Sequence, residues 1–438
     1  MSLSLRKTIE KHPDTWMWVA IILAFVPMLL LRDFTPDNEG RYLTIADEAL
    51  RSGHFFAFTL HGIPYADKPP LYLWLVMLCR QLLGYHSMVA LALLSLLPAC
   101  GVAAVMNRLT RALLTSSDRR TATLMLMTTA YFAGPAMVVR MDMLMCLFIV
   151  LAMWVFWEMY QRREPKASQQ WLLGLWLFLA LFTKGPLGVM IPVCAIMVMA
   201  VVHRKWSMLG QWLNWRSWLV LAVCCGVWFG MTYREGGPHY LNNLLFHQTV
   251  GRGIHSFHHA RPAYYYLISI WYEWLPWSLL SVAAIVIGLK RRYSVPTVSR
   301  LLLIVTLTTI VLLSCISSKL QVYLLPAMPY IVYFTAWAMH SMIPRPCAQG
   351  CLAIPQALLI LALPALVVAA NVAQLPALTT PWTVAAAAWL TLASASALYA
   401  NIGKKDLTLS VRTLAYGILG TLFLAGMAIP AFHGLLNK

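Results

Sequence analysis

What this sequence lacks most is charge, and acidic charge above all: 11% of its 438 residues are Asp, Glu, Lys or Arg, and 15 acidic side chains stand against 33 basic ones. So little polar material cannot clothe a water-soluble globule of this length, the more so when 60% of the residues are hydrophobic. Lipid is therefore the solvent the chain expects. Cysteine sets with metal-ligand spacing are lacking too. Cys79, Cys100, Cys146, Cys194, Cys224, Cys225 and Cys315 fall mostly inside apolar segments, and Cys347 and Cys351, four apart, have no His pair beside them. No internal repeat, low-complexity tract or separate soluble domain is expected, the last apolar run ending a few residues before Lys438. Nor does a small-residue cleavage site follow the first apolar run, Trp16 to Leu31, which leads into Arg32 and Asp33 and reads as a retained span. The net charge of +18 raises nucleic acid as a partner, but the basic residues sit in short loops between apolar runs, so membrane topology explains them and no nucleic acid is expected.

What is there is a series of apolar runs. Within a bilayer each backbone polar group needs an internal partner, so such runs become helices of about 20 residues. Thirteen are expected, at 15–32, 86–106, 121–138, 141–160, 170–183, 185–202, 217–233, 264–289, 299–316, 320–340, 351–371, 381–401 and 412–432. The tight turns near 139–142 and 184–186 leave a re-entrant course open. The stretch 69–84 is also apolar, but it is short and carries Arg80. Charge decides its path. Arg6/Lys7/Lys11, Arg108/Arg111/Arg119/Arg120, Arg162/Arg163/Lys166, Arg204/Lys205/Arg216, Lys290/Arg291/Arg292/Arg300, Arg345 and Lys404/Lys405/Arg412 make up 21 of the 33 basic residues and fall on one side only if 69–84 does not cross. That side is read as cytoplasmic, with the N-terminus there, the C-terminus outside, and 69–84 lying along the outer interface. The fold class is an all-α polytopic membrane protein, residues 1–438 forming a single transmembrane domain.

Two outer loops exceed connector length, 33–85 with its interfacial helices and 234–263. The first carries Asp37, Asn38, Glu39, Arg41 and Tyr42, then Tyr65, Asp67, Lys68, Pro69 and Pro70. Each could be plain local structure, since Asp37 or Asn38 suits a helix cap and Asp67 through Pro70 a turn that opens a helix. Two mixed-charge clusters on one membrane face, joined at helix ends by Arg140, Asp142, Lys184 and Lys319, point instead to a site.

In order along the chain, the Asp37 to Tyr42 motif, the Tyr65 to Pro70 motif, Arg140-Met141-Asp142, Thr183-Lys184-Gly185, the His258-His259-Ala260-Arg261-Pro262 run before Tyr264-Tyr265-Tyr266, and Ser317 through Pro326 resemble a C-type glycosyltransferase (GT-C). The superfamily contains bacterial 4-amino-4-deoxy-L-arabinose lipid A transferases and protein O-mannosyltransferases, and the resemblance is strongest to the former branch. It implies a GT-C fold of about 13 transmembrane helices with interfacial helices in the first periplasmic loop, placed in the bacterial inner (cytoplasmic) membrane with a periplasmic active site. It implies a polyprenyl-phosphate (undecaprenyl-phosphate) sugar donor and inversion at the anomeric carbon. Lipid A, another envelope glycan or lipid, and a protein all remain open as acceptor. The chain departs from the family pattern in three ways. Asn38 takes the place of the catalytic Asp when the motif is aligned on Arg41 and Tyr42, Asp67 replaces the usual Glu before Lys68, and the large C-terminal periplasmic domain has no counterpart.

The chemistry asks for these residue types. A departing polyprenyl phosphate, with a second pKa of about 6, needs no general acid. It needs positive charge, for which Lys68, Lys184, Arg252, Arg261 and Lys319 are the candidates. An acceptor hydroxyl must lose a proton as it attacks, and one carboxylate suffices as base: Asp37 first, Glu39 second. Arg41, Tyr42, Tyr65, Asp67, Asp142, His258, His259 and Tyr323 are expected to position substrate or loop. The histidine-rich stretch 239–262 could hold a divalent cation through His258 and His259, completed by Asp67, but its spacing lacks zincin regularity and no cofactor is required. The aromatic series from Tyr264 to Trp277 reads first as an interface belt. A lipid-linked glycan transporter or flippase, or a ligase using a polyprenyl diphosphate, is the alternative; transporters place polar groups near the midplane and show repeated halves, which this sequence does not.

Overall fold

The computed structural model describes residues 11–35, 39–245, 261–291 and 294–433. Helices dominate. In chain order they are α1 (Pro13–Leu31), α2 (Arg41–Ser52), α3 (Pro70–Leu83), α4 (Met88–Leu109), α5 (Ser116–Met127), α6 (Ala130–Met137), α7 (Asp142–Tyr160), α8 (Ala167–Lys184), α9 (Leu187–Val202), α10 (Trp215–Asn242), α11 (Tyr265–Glu273), α12 (Ser278–Lys290), α13 (Thr297–Cys315), α14 (Met328–Ser341), α15 (Arg345–Ile360), α16 (Ala362–Ala373), α17 (Pro381–Ile402) and α18 (Leu407–Ala428). A two-stranded hairpin, Thr59–Leu60 with Ile63–Pro64, interrupts the first long loop.

Among the described residues, nine helical segments are long and apolar enough to cross a bilayer unaided. The four other expected spans fall on α5 with α6 and α11 with α12, which are broken, on α9, which is slightly shorter, and on α8, which is less apolar. Two of these breaks satisfy each other. Ala130 N–H donates to the Leu275 carbonyl at 2.9 Å and the Trp277 indole to the Met125 carbonyl at 2.9 Å, so backbone groups freed at each break keep partners away from water. A third break, between α15 and α16, is closed by the Thr391 hydroxyl, which donates to the Ile360 carbonyl at 3.0 Å and accepts from Leu363 N–H at 3.1 Å.

The path of 69–84 is settled by Arg32, just past α1. Its guanidinium lies 4.0 Å from the Met88 sulfur, at the start of α4, and donates to the Met137 carbonyl, at the end of α6, at 3.2 Å. Chain leaving the membrane at 31 thus re-enters at 88 on the same face, and α3 does not cross. Proline starts α3 and left-handed Gly84 ends it. Helix α2 is amphipathic, burying Ile45, Ala46 and Ala49 against α3. The largest core joins α4, α5, α7, α13 and α14 through Val102, Met106, Met125, Cys146, Met153, Leu302, Tyr330 and Tyr333.

Candidate active site

The site begins at Glu39, 1% exposed. Its carboxylate accepts Arg32 Nη1 at 2.7 Å and Nη2 at 2.6 Å, the Thr35 N–H at 2.8 Å, the Thr35 hydroxyl at 3.0 Å and the Val139 N–H at 2.7 Å. Burial pushes this carboxyl up, but the Arg32 hydrogen bonds, those from Thr35 and Val139, and the Arg32 charge outweigh it and hold the group below the usual carboxylate range. With its lone pairs engaged, Glu39 is a clamp that fastens the first loop to residues 138–141. The Ser95 hydroxyl bridges the Val138 and Arg140 carbonyls from α4, at 2.6 and 3.1 Å.

That pinned turn delivers Arg140 and Asp142. Asp142, 1% exposed, pairs with Lys184 through one oxygen and with Arg140 Nε at 3.1 Å through the other. Lys184, the last residue of α8, lies with its ammonium 4.5 Å from the centre of the Tyr323 ring. Two cations on one buried carboxylate leave a net positive patch, and the Arg140 side chain is 34% exposed, able to offer further N–H groups. Tyr42 packs edge-on against Tyr72 with centroids 5.6 Å apart. Burial, and after it the Asp142 charge, push the Tyr42 phenol well above its usual range, so it stays a neutral hydrogen-bond donor.

The second motif is fixed from α10. Glu235 accepts the N–H groups of Phe56 and Ala57 at 2.7 and 3.0 Å; the Tyr240 hydroxyl accepts from Phe58 N–H at 3.0 Å and donates to the Tyr65 carbonyl at 2.7 Å. Asp67 and Lys68 follow at once, half-buried where α3 starts. A separate clasp holds the later motifs. Lys319, 4% exposed, donates to the Arg261 carbonyl at 3.1 Å and to the Ile316 carbonyl, Arg261 N–H donates to Ser317 at 3.3 Å, and the Tyr266 hydroxyl reaches the Leu320 carbonyl at 3.1 Å. Lys319 therefore ties two segments together before it does anything else. Arg41 stands exposed at the start of α2.

Asp37, Arg252, His258 and His259 lie outside the described residues. Among those described, no three His, Cys, Asp or Glu side chains converge as a metal site would require. Two residues absent from the sequence-based set emerge here. Arg32 looked like an ordinary flanking charge, though its place beside the acidic motif was a signal. Glu273 is 0% exposed at the end of α11, and neither carboxyl oxygen has a hydrogen-bond partner among the described residues. It lies within electrostatic reach of the Tyr131, Tyr265 and Tyr266 phenols. An ionisable residue inside an apolar run was the available signal.

A multi-pass helical fold whose ionisable groups gather at one set of helix ends defines the class, a polytopic helical membrane protein. The sequence profile of the dolichyl-phosphate-mannose-protein mannosyltransferase family matches residues 17–232. The undecaprenyl phosphate-alpha-4-amino-4-deoxy-L-arabinose arabinosyl transferase 1 of Pseudomonas fluorescens (strain Pf0-1) is 29% identical over 283 residues, covering 61% of this chain and 48% of its own. The corresponding transferase of Shewanella sediminis is 25% identical over 326 residues, 73% of this chain and 58% of its own. The chain thus spans about half the length of these curated relatives. Crystal structures of ArnT from Cupriavidus metallidurans superpose with TM-scores of 0.77 bound to undecaprenyl phosphate and 0.79 in the apo state. They are 20% and 21% identical and cover 95% and 97% of this chain against 77% and 78% of theirs. The chain thus has the fold of the ArnT crystal structures and is similar in sequence to the mannosyltransferase family profile and to the arabinosyl transferases.

Proposed function

We propose that this protein transfers a sugar from a polyprenyl-phosphate donor to a lipid A, envelope glycan or protein acceptor at the periplasmic face of a bacterial inner membrane. The observation that carries the reading is the buried Asp142 flanked by Lys184 and Arg140, a preorganised positive patch at the lipid boundary where a phosphate could sit. The two arabinosyl transferase relatives are named for an undecaprenyl phosphate-linked sugar, which supports a donor of that class here.

The acceptor oxygen attacks the anomeric carbon as the bond from that carbon to the phosphate oxygen breaks, in one inverting displacement. Charge growing on the leaving phosphate is met by N–H donors already in place, which costs no reorganisation during reaction. Arg140, Lys68 and Arg261 are the donors proposed, with Arg252 joining from the second loop. Lys184 holds Asp142 and supplies field rather than first contact, and Lys319 keeps Arg261 in position. Asp37 is the proposed base. Glu39, saturated by five hydrogen bonds, anchors the loop that presents Asp37. Tyr42, Tyr65, Asp67, Asp142 and Tyr323 shape the sugar pocket, and Arg41, His258 and His259 are proposed to position substrate.

Mass spectrometry of envelope lipids, glycans and secreted proteins from matched cells with and without the gene tests this. The expected result is loss of one sugar addition together with accumulation of its lipid-linked donor. An unchanged envelope under verified expression, with lipid-linked sugar redistributed between leaflets, would replace transfer by transport.

A further inference from the structure

At the opposite ends of the same helices lies a polar cavity, of about 480 Å³, lined by Asp14, Met17, Trp18, Asn107, Arg108, Arg111, Ser116, Arg119 and Arg120. It forms where the first turns of α1, the last turn of α4 and the first turn of α5 meet. Helix α1 has 19 residues, so at about 1.5 Å per residue its two ends are roughly one hydrocarbon thickness apart. The cavity therefore sits at the far membrane boundary from the candidate active site.

Its charge is unbalanced. Four guanidinium groups face one lining carboxylate, Asp14, which is taken by Arg120 Nη1 at 3.1 Å. Asp118 is turned to its own helix cap, accepting from the Thr115 hydroxyl at 2.7 Å. Arg119 donates to the Leu114 carbonyl at 2.7 Å and the Ser116 hydroxyl at 3.0 Å, and Arg108 lies over the Trp154 ring at 4.9 Å. The Arg111 side chain has no hydrogen-bond or ion-pair partner among the described residues. A fifth guanidinium, Arg412 on α18, donates to Thr121 and Ser117 on the adjoining turns of α5. Plain topogenic charge needs only to stand in a loop, whereas Arg108, Arg119 and Arg120 are held by an indole, a carbonyl, a hydroxyl and a carboxylate around one concavity. Like charges so arranged repel unless an anion occupies the space between them.

We infer that this pocket binds the phosphate of an anionic ligand, the headgroup of a negatively charged phospholipid in that leaflet. Guanidinium forks match phosphate oxygens bidentately, basic pockets between membrane helices bind anionic headgroups, and Met17 and Trp18 offer an apolar margin against which lipid carbons can lie. Arg108 and Arg111 are the contacts with donors left to give; Arg119 and Arg120 frame them.

Native mass spectrometry of the full-length protein in detergent, titrated with phosphatidylglycerol or phosphatidylethanolamine, tests this. Phosphatidylglycerol should be retained in preference, and Arg108→Gln with Arg111→Gln should weaken its retention about tenfold, while Arg108→Lys with Arg111→Lys should restore most of it. Should the double Gln variant fail to fold, Arg111→Gln alone, an exposed position, carries the comparison. Inorganic phosphate is the second arm. If millimolar phosphate stabilises the lipid-free protein and displaces phosphatidylglycerol, with the same dependence on Arg111, the phosphate chemistry stands and its source is a soluble compound. Equal retention of both lipids, or retention indifferent to both Gln variants, overturns the proposal.

Discussion

The residue that decides most is Glu39. A carboxylate buried with a bidentate guanidinium is costly to break from one side only, because the other charge stays buried without compensation. Glu39→Gln should therefore cost about 3 kcal/mol or more of stability, seen as a lower melting temperature in detergent before any effect on chemistry is considered. The direction of its titration gives a second check. With the folded carboxyl held below its ordinary value, its stabilisation is present above the unfolded-state value near pH 4.3 and is lost as pH falls through the folded one. Melting temperature should drop on acidification below about pH 4, and Glu39→Gln should flatten that part of the curve. Glu273 predicts the opposite sign. Since the carboxyl is buried and neither oxygen is hydrogen-bonded among the described residues, Glu273→Leu should raise the melting temperature; a fall would reveal a partner for the carboxyl.

Among elements, packing is set by where backbones touch. A Cβ at Gly174 on α8 would meet the Ser217 carbonyl oxygen of α10 at 2.6 Å and its Cα at 2.8 Å, so the two helices approach through a position only glycine permits. Gly174→Leu should separate α8 from α10 and disturb both anchors they carry, Lys184 at the end of one and Glu235 and Tyr240 on the other. Accelerated proteolysis of the 53–68 segment is the readout. In α10 itself, Gly237 has φ 71° ahead of Pro238, a left-handed kink that turns the chain just past Glu235. Helix identity was plain from hydrophobic runs. Breaks at 128–129 and 274–277 were not, because the groups that satisfy them come from distant segments.

At the scale of the whole molecule, the thirteen crossings expected from the sequence would put the N-terminal and α18 ends on opposite faces. Reporter tags after Tyr85, on the candidate active-site face, and within 162–166, on the other, should report opposite compartments, with the Tyr85 tag outside. The same side for both would require α3 or one broken helix to be threaded differently.

By itself the sequence determined the solvent and where the apolar segments fall, and it predicts an interfacial course for 69–84 and charged motifs on one face, because hydropathy and charge bias act on each segment locally. Tertiary structure decided which of those charges oppose one another. Asp142 meets Lys184 across 42 residues and Glu39 reaches Val139 across 100, separations at which no local pattern operates. That is why the sequence offers Glu39 as a candidate base without showing that the fold engages its carboxylate with Arg32, Thr35 and Val139.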